Sequence, residues 1–238
     1  MIRTAVIMAA GLGTRFGSYT EVRPKGFIPF KGKAMVLRAI DTMLQSGIEK
    51  IIIGTGYHRE WYEALTETYP QVQCVFSPRF AETNSMYTLW NCREAIGGDD
   101  FLLFESDLVF EQKALAELLG SPYDSAMLVA PVTKFQDQYY VERNEKDELT
   151  NCSTDKTALH PCGELVGIHK ISNAFYRILC EDYAAKADEC PKLGYEYELL
   201  HISRTVRPLY VVKCDDLQWY EIDDTDDLAY AEEHISID

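Results

Sequence analysis

The chain has no apolar run approaching the roughly 18 residues that a membrane-crossing helix needs, and it enters a short strand-like stretch at once, without a secretory leader pattern. It holds seven cysteines, at 74, 92, 152, 162, 180, 190 and 214, an odd number with no C-x-x-C pair. That pattern favours reduced thiols in a cytoplasmic protein over a zinc site or a disulfide framework. Positive charge is scarce: 23 Lys and Arg stand against 38 Asp and Glu, a net charge of −15. A general nucleic-acid surface, which needs a basic face, is therefore not expected. His58, His160, His169, His201 and His234 are scattered and share no metal spacing, so core or surface positions are expected for them. Repeats, low-complexity tracts and clear linkers are also missing, and 238 residues fit one large α/β domain.

What is present begins at the N-terminus. Residues 4–8 form an apolar run, the pattern of a buried parallel strand. Small residues follow directly: Ala9, Ala10, Gly11 and Gly13. Backbone without bulky side chains can approach a ligand and offer its N–H groups to phosphate. Arg15, Arg23, Lys25, Lys31 and Lys33 then cluster with Glu21 as the local acid. In so acidic a chain this island points to a site for a polyanion. Three phosphate-loop patterns compete for it. A dinucleotide fingerprint fails because Gly11-Leu-Gly-Thr-Arg-Phe16 lacks the third glycine, and a Walker loop fails because Ala34 follows Gly32-Lys33 where a hydroxyl is required. The third, A-A-G-x-G-T-R-(x)n-P-K, is matched by Ala9-Ala10-Gly11-Leu12-Gly13-Thr14-Arg15 and Pro24-Lys25. In this it resembles the long loop of nucleoside-triphosphate transferases.

Periodicity predicts helices over 35–46, closed by Gly47, and over 60–69 and 84–96, alternating with strands at Lys50–Thr55, 74–76 and Phe101–Glu105. Alternation of this kind implies a mainly parallel sheet flanked by helices. Trp61 and Trp90 fall within the expected helices and read as core packing. The middle changes character: a strand at 127–132, a hairpin of 139–143 and 149–152 around a charged turn at 144–147, a strand at 165–171 and a helix over 173–187. A strand at 209–213 and a helix over Thr225–His234 complete the chain. The reading is one domain, 1–238, with an acceptor-binding β portion inserted at roughly 133–205.

Open α/β sheets bind ligands at the carboxyl ends of their strands. Two acidic motifs lie in such positions: Glu105-Ser106-Asp107 after an apolar strand, and Glu221-Ile222-Asp223 after Leu217-Gln-Trp-Tyr. Magnesium on a triphosphate takes one or two carboxylates and leaves its remaining positions to phosphate oxygens and water. Asp107 and Asp223 supply that number, although Asp224, Asp226 and Asp227 crowd the second position.

The loop, the two acidic motifs, Thr55-Gly56-Tyr57, Asn84-Ser-Met-Tyr-Thr88 and Pro191-Lys192-Leu193 together resemble the small cytidylyltransferases of the nucleotidyltransferase superfamily, over essentially the whole chain. The nearest resemblance is to the branch acting on 2-aminoethylphosphonate, with the phosphocholine branch as near kin. What this implies is a Rossmann-like nucleotidyltransferase fold and Mg2+-dependent transfer of CMP from CTP. Ala9, Ala10, Gly11, Gly13 and Thr14 would hold the nucleotide, with Asn84 and Ser85 near the base or ribose. Arg15 and Lys25 would neutralise the triphosphate, while Asp107 and Asp223 would bind the metal, Asp107 also counting as catalytic. Tyr139, Tyr195, Glu196 and Glu221 would face the acceptor. Where the choline branch carries a tryptophan against the trimethylammonium, this chain has Asp137-Gln-Tyr-Tyr140. Tyrosine is the weaker cation–π partner but offers a hydroxyl, which suits a primary ammonium. The resemblance implies small-molecule partners only, no membrane, room for a homodimer, and in some members an aminotransferase domain beyond a position like 238. A glycosyltransferase would use the Glu105-x-Asp107 pair but not the Arg15…Lys25 loop. A sugar-phosphate nucleotidylyltransferase remains an alternative. A regulatory domain without chemistry is disfavoured, because Lys25, Asp107 and Asp223 are all present.

Overall fold

A computed structural model describes residues 2–133 and 138–237. The strands are β1 Thr4–Ala9, β2 Pro29–Phe30, β3 Lys33–Ala34, β4 Lys50–Thr55, β5 Val72–Phe76, β6 Phe101–Glu105, β7 Leu108–Phe110, β8 Ala126–Ala130, β9 Tyr140–Arg143, β10 Leu149–Ser153, β11 Gly163–Ile171, β12 Tyr210–Lys213 and β13 Trp219–Glu221. The α-helices are α1 Met35–Gln45, α2 Arg59–Glu63, α3 Ser85–Asn91, α4 Arg93–Ile96, α5 Lys113–Gly120, α6 Asn173–Lys186, α7 Tyr195–Thr205 and α8 Thr225–His234.

The main sheet has two characters. β5, β4, β1 and β6 are parallel neighbours in that order. β11 then runs antiparallel to β6 and carries antiparallel β8, and β9 with its hairpin partner β10. β12 lies parallel to β8. The 138–205 stretch is thus woven into the same sheet, with the expected hairpin around 144–147. Strand alternation explains the continuous apolar runs. Ala5, Ile7 and Ala9 pack into one core with α1 and α5, whereas Val6 packs into the other with α3, α6 and α7.

Two expected helices are broken. The 84–96 stretch splits at Cys92 into α3 and α4, and 60–69 yields the short α2 followed by a 3-10 turn. Trp61 is 39% exposed and packs its edge on Phe27, so it is not core. All seven cysteines are free. Among the described residues no helix is long and apolar enough to cross a membrane.

A third, smaller core positions the site. Phe16 and Ile28, which flank the basic loop, pack with Val109 of β7, Tyr220 and Ile222 of the C-terminal segment, and Ala231 of α8. Burying side chains of this size stabilises by about 1.5–3 kcal/mol each. Their placement fixes both ends of the loop, next to Arg15 and Lys25.

Candidate active site

The loop leaves β1 through Gly13, whose φ of +64° is the left-handed region that glycine enters without penalty. The next seven residues form 3-10 turns broken at Gly17, and the Thr20 hydroxyl donates to the Gly13 carbonyl at 2.9 Å. Pro24 is extended and aims the chain so that Lys25 opens the next turn. Gly56, just past the end of β4, abuts the loop: a Cβ there would lie 2.5 Å from the Ala10 carbonyl.

The acids arrive by strand pairing. β7 and β13 pair antiparallel, with Glu221 opposite Leu108, and the Ile222 amide donates to the Asp107 carbonyl at 3.0 Å. Asp107 and Asp223 therefore meet although 116 positions separate them in sequence, the difference between their two numbers. The crowded acidic run divides its labour. Asp224 caps α8 by accepting from the Asp226 and Asp227 amides, and Asp227 accepts from the Asp223 amide. Asp223 is left facing the cleft.

At the centre, Lys25 Nζ donates to Asp107 Oδ2 at 2.5 Å and to Asp223 Oδ1 at 2.6 Å. Arg15 Nη2 reaches the same Asp223 oxygen at 2.7 Å. Burial opposes the charge on Lys25, but Asp107, Asp223 and Glu221 outweigh it and hold the ammonium's pKa above its ordinary value. Asp107 Oδ1 is buried with no hydrogen-bond partner among the described residues. Carboxylate oxygens of Glu105, Asp107 and Glu221 lie within 4.8 Å of one another, a spacing that could hold a metal ion. Asp223 is not in that trio; its Oδ1 holds the two cations.

An acidic floor lies at the far end. The Tyr195 hydroxyl donates to Glu105 Oε1 at 2.6 Å. Burial, then Glu221, Asp107 and Glu196, push the Glu105 carboxyl well above the ordinary carboxylate range. Burial raises Glu196 to about 7. Tyr139 is also pushed up, first by burial and then by Glu196. Glu105 belongs to the site although the sequence marked it only as part of a motif. The available signal was its spacing: two positions before Asp107.

A cleft of about 450 Å³ takes in Ala9, Ala10, Gly11, Gly13, Thr14 and Arg15 on one side, and Lys25, Asp107 and Asp223 at the centre. Asn84, Ser85, Tyr139, Tyr195 and Glu196 line the rest. Glu221 does not line it and touches the site through the carboxylate trio. Asp137 lies outside the described residues. The histidines stay apart from the cleft lining, as expected. His169 is fully buried, pushed down to about 3 by that burial, with its ring edge-on to Tyr195.

An α/β sheet flanked by helices, with a glycine-rich cationic loop at the end of its first strand facing carboxylates at the ends of later ones, is the arrangement of an α/β domain that binds its ligand at the carboxyl ends of the strands. The chain belongs to the family of MobA-like NTP transferase domains, whose model matches residues 5–187. It is 26% identical over 242 residues to the CMP-5′-(3-aminopropyl)phosphonate synthase of Streptomyces rubellomurinus, covering 96% of this chain and 38% of that protein. It is 32% identical over 109 residues to the 2-aminoethylphosphonate cytidylyltransferase of Lancefieldella rimae, covering 46% of this chain and 44% of that one. The chain thus matches less than half the length of these two curated relatives. Among solved structures, the CTP:phosphocholine cytidylyltransferase of Streptococcus pneumoniae superposes with a TM-score of 0.79 at 22% identity, over 98% of this chain and 99% of that one. At that identity the likeness speaks for the fold.

Proposed function

We propose that this protein transfers CMP from CTP to an aminoalkylphosphonate, 2-aminoethylphosphonate first among them, releasing pyrophosphate. One observation carries the reading: the Lys25 ammonium bridges Asp107 and Asp223 between a glycine-rich loop and a floor of buried acids. The names of the two phosphonate-acting relatives support the acceptor class. A primary ammonium offers three N–H donors, and Glu105 and Glu196 are acceptors whose burial makes a cation welcome.

In the reaction a phosphonate oxygen attacks the α-phosphorus of CTP in line. The new O–P bond forms as the bond to the β-phosphate oxygen breaks, and its electron pair leaves with pyrophosphate. The nucleophile is already anionic, so no covalent enzyme intermediate and no side-chain base is required. The barrier is the meeting of two anions. Arg15 and Lys25 lower it by neutralising the triphosphate, and the backbone of residues 9–14 orients it.

The donor set suits magnesium, a hard cation that takes carboxylate oxygens. Asp107 has an orphaned buried oxygen, and like-charged Glu105 and Glu221 crowd it. Asp107 and Asp223 would hold the ion, with Glu221 beside them. When bound it supplies charge stabilisation to the phosphates.

The test is direct. The protein is incubated with CTP, magnesium and, separately, 2-aminoethylphosphonate, 3-aminopropylphosphonate, phosphocholine and a sugar 1-phosphate, and each product is identified by mass. The CMP–aminoalkylphosphonate adduct is expected to form fastest. Preferential formation of CDP-choline would redirect the acceptor to phosphocholine, and a sugar nucleotide alone would overturn the reading.

A further inference from the structure

The proposed acceptor carries two opposite charges, and the buried acids answer one of them. Its phosphonate needs a cation that carboxylates do not already engage. Among the described residues, three cationic side chains line the cleft: Arg15, Lys25 and Lys192. Carboxylates hold the first two. Lys192 differs. Its Nζ donates to the neutral carbonyls of Ala81 at 3.2 Å and Thr83 at 3.5 Å. Partners without charge leave the ammonium's charge available to an anion in the cleft.

The lysine stands on a fixed mount. Its own carbonyl accepts from Asn84 Nδ2 at 3.3 Å. The Leu193 carbonyl accepts from the Met86 amide at 3.3 Å, and the Tyr195 amide donates to Ser85 Oγ at 3.0 Å. Residues 192–195 are thus clasped to the start of α3. Gly194 leaves room there for the Glu196 carboxylate, whose Oε2 would lie 2.6 Å from a Cβ at that position. The exposed Lys192 and the buried Glu196 therefore present opposite charges from one short, braced segment.

We propose that Lys192 is a specificity-determining residue that binds the phosphonate or phosphate of the acceptor, so that segment 192–196 matches the acceptor's anionic and cationic ends. The proposal rests on the function given above.

The experiment compares wild type, Lys192→Met and Glu196→Gln. Three quantities are read: the acceptor KM, the Kd for CTP by calorimetry, and the Ki of ethylphosphonate, an acceptor lacking its amine. For Lys192→Met the acceptor KM and the ethylphosphonate Ki are expected to rise roughly 10- to 100-fold, with the CTP Kd unchanged. Glu196→Gln should raise the acceptor KM and leave the ethylphosphonate Ki alone. A Lys192→Met protein that loses CTP affinity while keeping both acceptor-side constants would overturn the proposal and assign the lysine to bracing the 81–84 loop. Unchanged constants throughout would overturn it as well. Failure of the wild type to make any CMP adduct would instead refute the function on which it depends.

Discussion

The two walls of the cleft are built from opposite materials. The wall proposed for the nucleotide, residues 9–15 with Lys25, is short in sequence, rich in glycine and cationic, and it hangs from the parallel half of the sheet. The wall proposed for the acceptor is acidic and tyrosine-rich, set on α7 and the antiparallel half, with Glu196 and Tyr195 buried. On the first wall, positive side chains meet partners across the cleft. On the second, carboxylates crowd one another, and burial holds their pKa values above the ordinary carboxylate range. Under the proposed function, a site that brings two anions together would gain from this asymmetry. The triphosphate would find its counter-charge in Arg15 and Lys25, while the acids would recognise an ammonium that the nucleotide lacks.

The largest break in that comparison is removal of divalent metal. Chelation is expected to abolish turnover and added magnesium to restore it; undiminished activity in the chelator would dissolve the metal-holding role proposed for Asp107 and Asp223. Next comes Lys25→Met, which should lower kcat by about 10²–10³ while thermal unfolding shows a folded protein. A variant with wild-type turnover would remove the nucleotide wall's central charge from the chemistry. Glu196→Gln sharpens the other side: the acceptor KM should rise about 10- to 100-fold and the CTP Kd hold still. A change in CTP binding of the same size would merge the two walls into one.

The smallest effect concerns the acceptor wall's scaffold. Glu198 of α7 is buried against Lys186 and raised to about 7, chiefly by that burial. A carboxyl raised above its unfolded value contributes stability that is fully present below about pH 4.5 and is lost as pH rises through about 7. Unfolding between about pH 5 and 8 should therefore show a decline of about 2 kcal/mol from this group, and Glu198→Gln should flatten it. An unchanged slope would locate the pH dependence elsewhere.

The same asymmetry governs what could be read in advance. The nucleotide wall was legible because its parts are contiguous: glycines, arginine, proline and lysine occur in one stretch, and β1 is apolar on both faces. The acceptor wall was harder. α7 escaped the periodicity reading because Glu196 and Glu198 sit on its buried face, where apolar residues would mark a helix. Lys192 was marked only as part of the Pro191-Lys192-Leu193 motif, with no role attached to it. The helix expected over 84–96 was one element by pattern, yet it breaks at Cys92. β7 and β13, at three residues each, are too short to show a period, although their pairing decides where Asp223 goes.

By itself the sequence determined the alternating α/β plan, the glycine-rich cationic loop and the acidic strand ends, because each is a local matter of side-chain size, charge and spacing. Tertiary structure decided which acid of the C-terminal run faces Lys25, that Glu105 and Lys192 belong to the cleft, and that Glu196 is buried beside Glu105. Those outcomes depend on strand pairing and desolvation between residues far apart along the chain, and no local pattern encodes them.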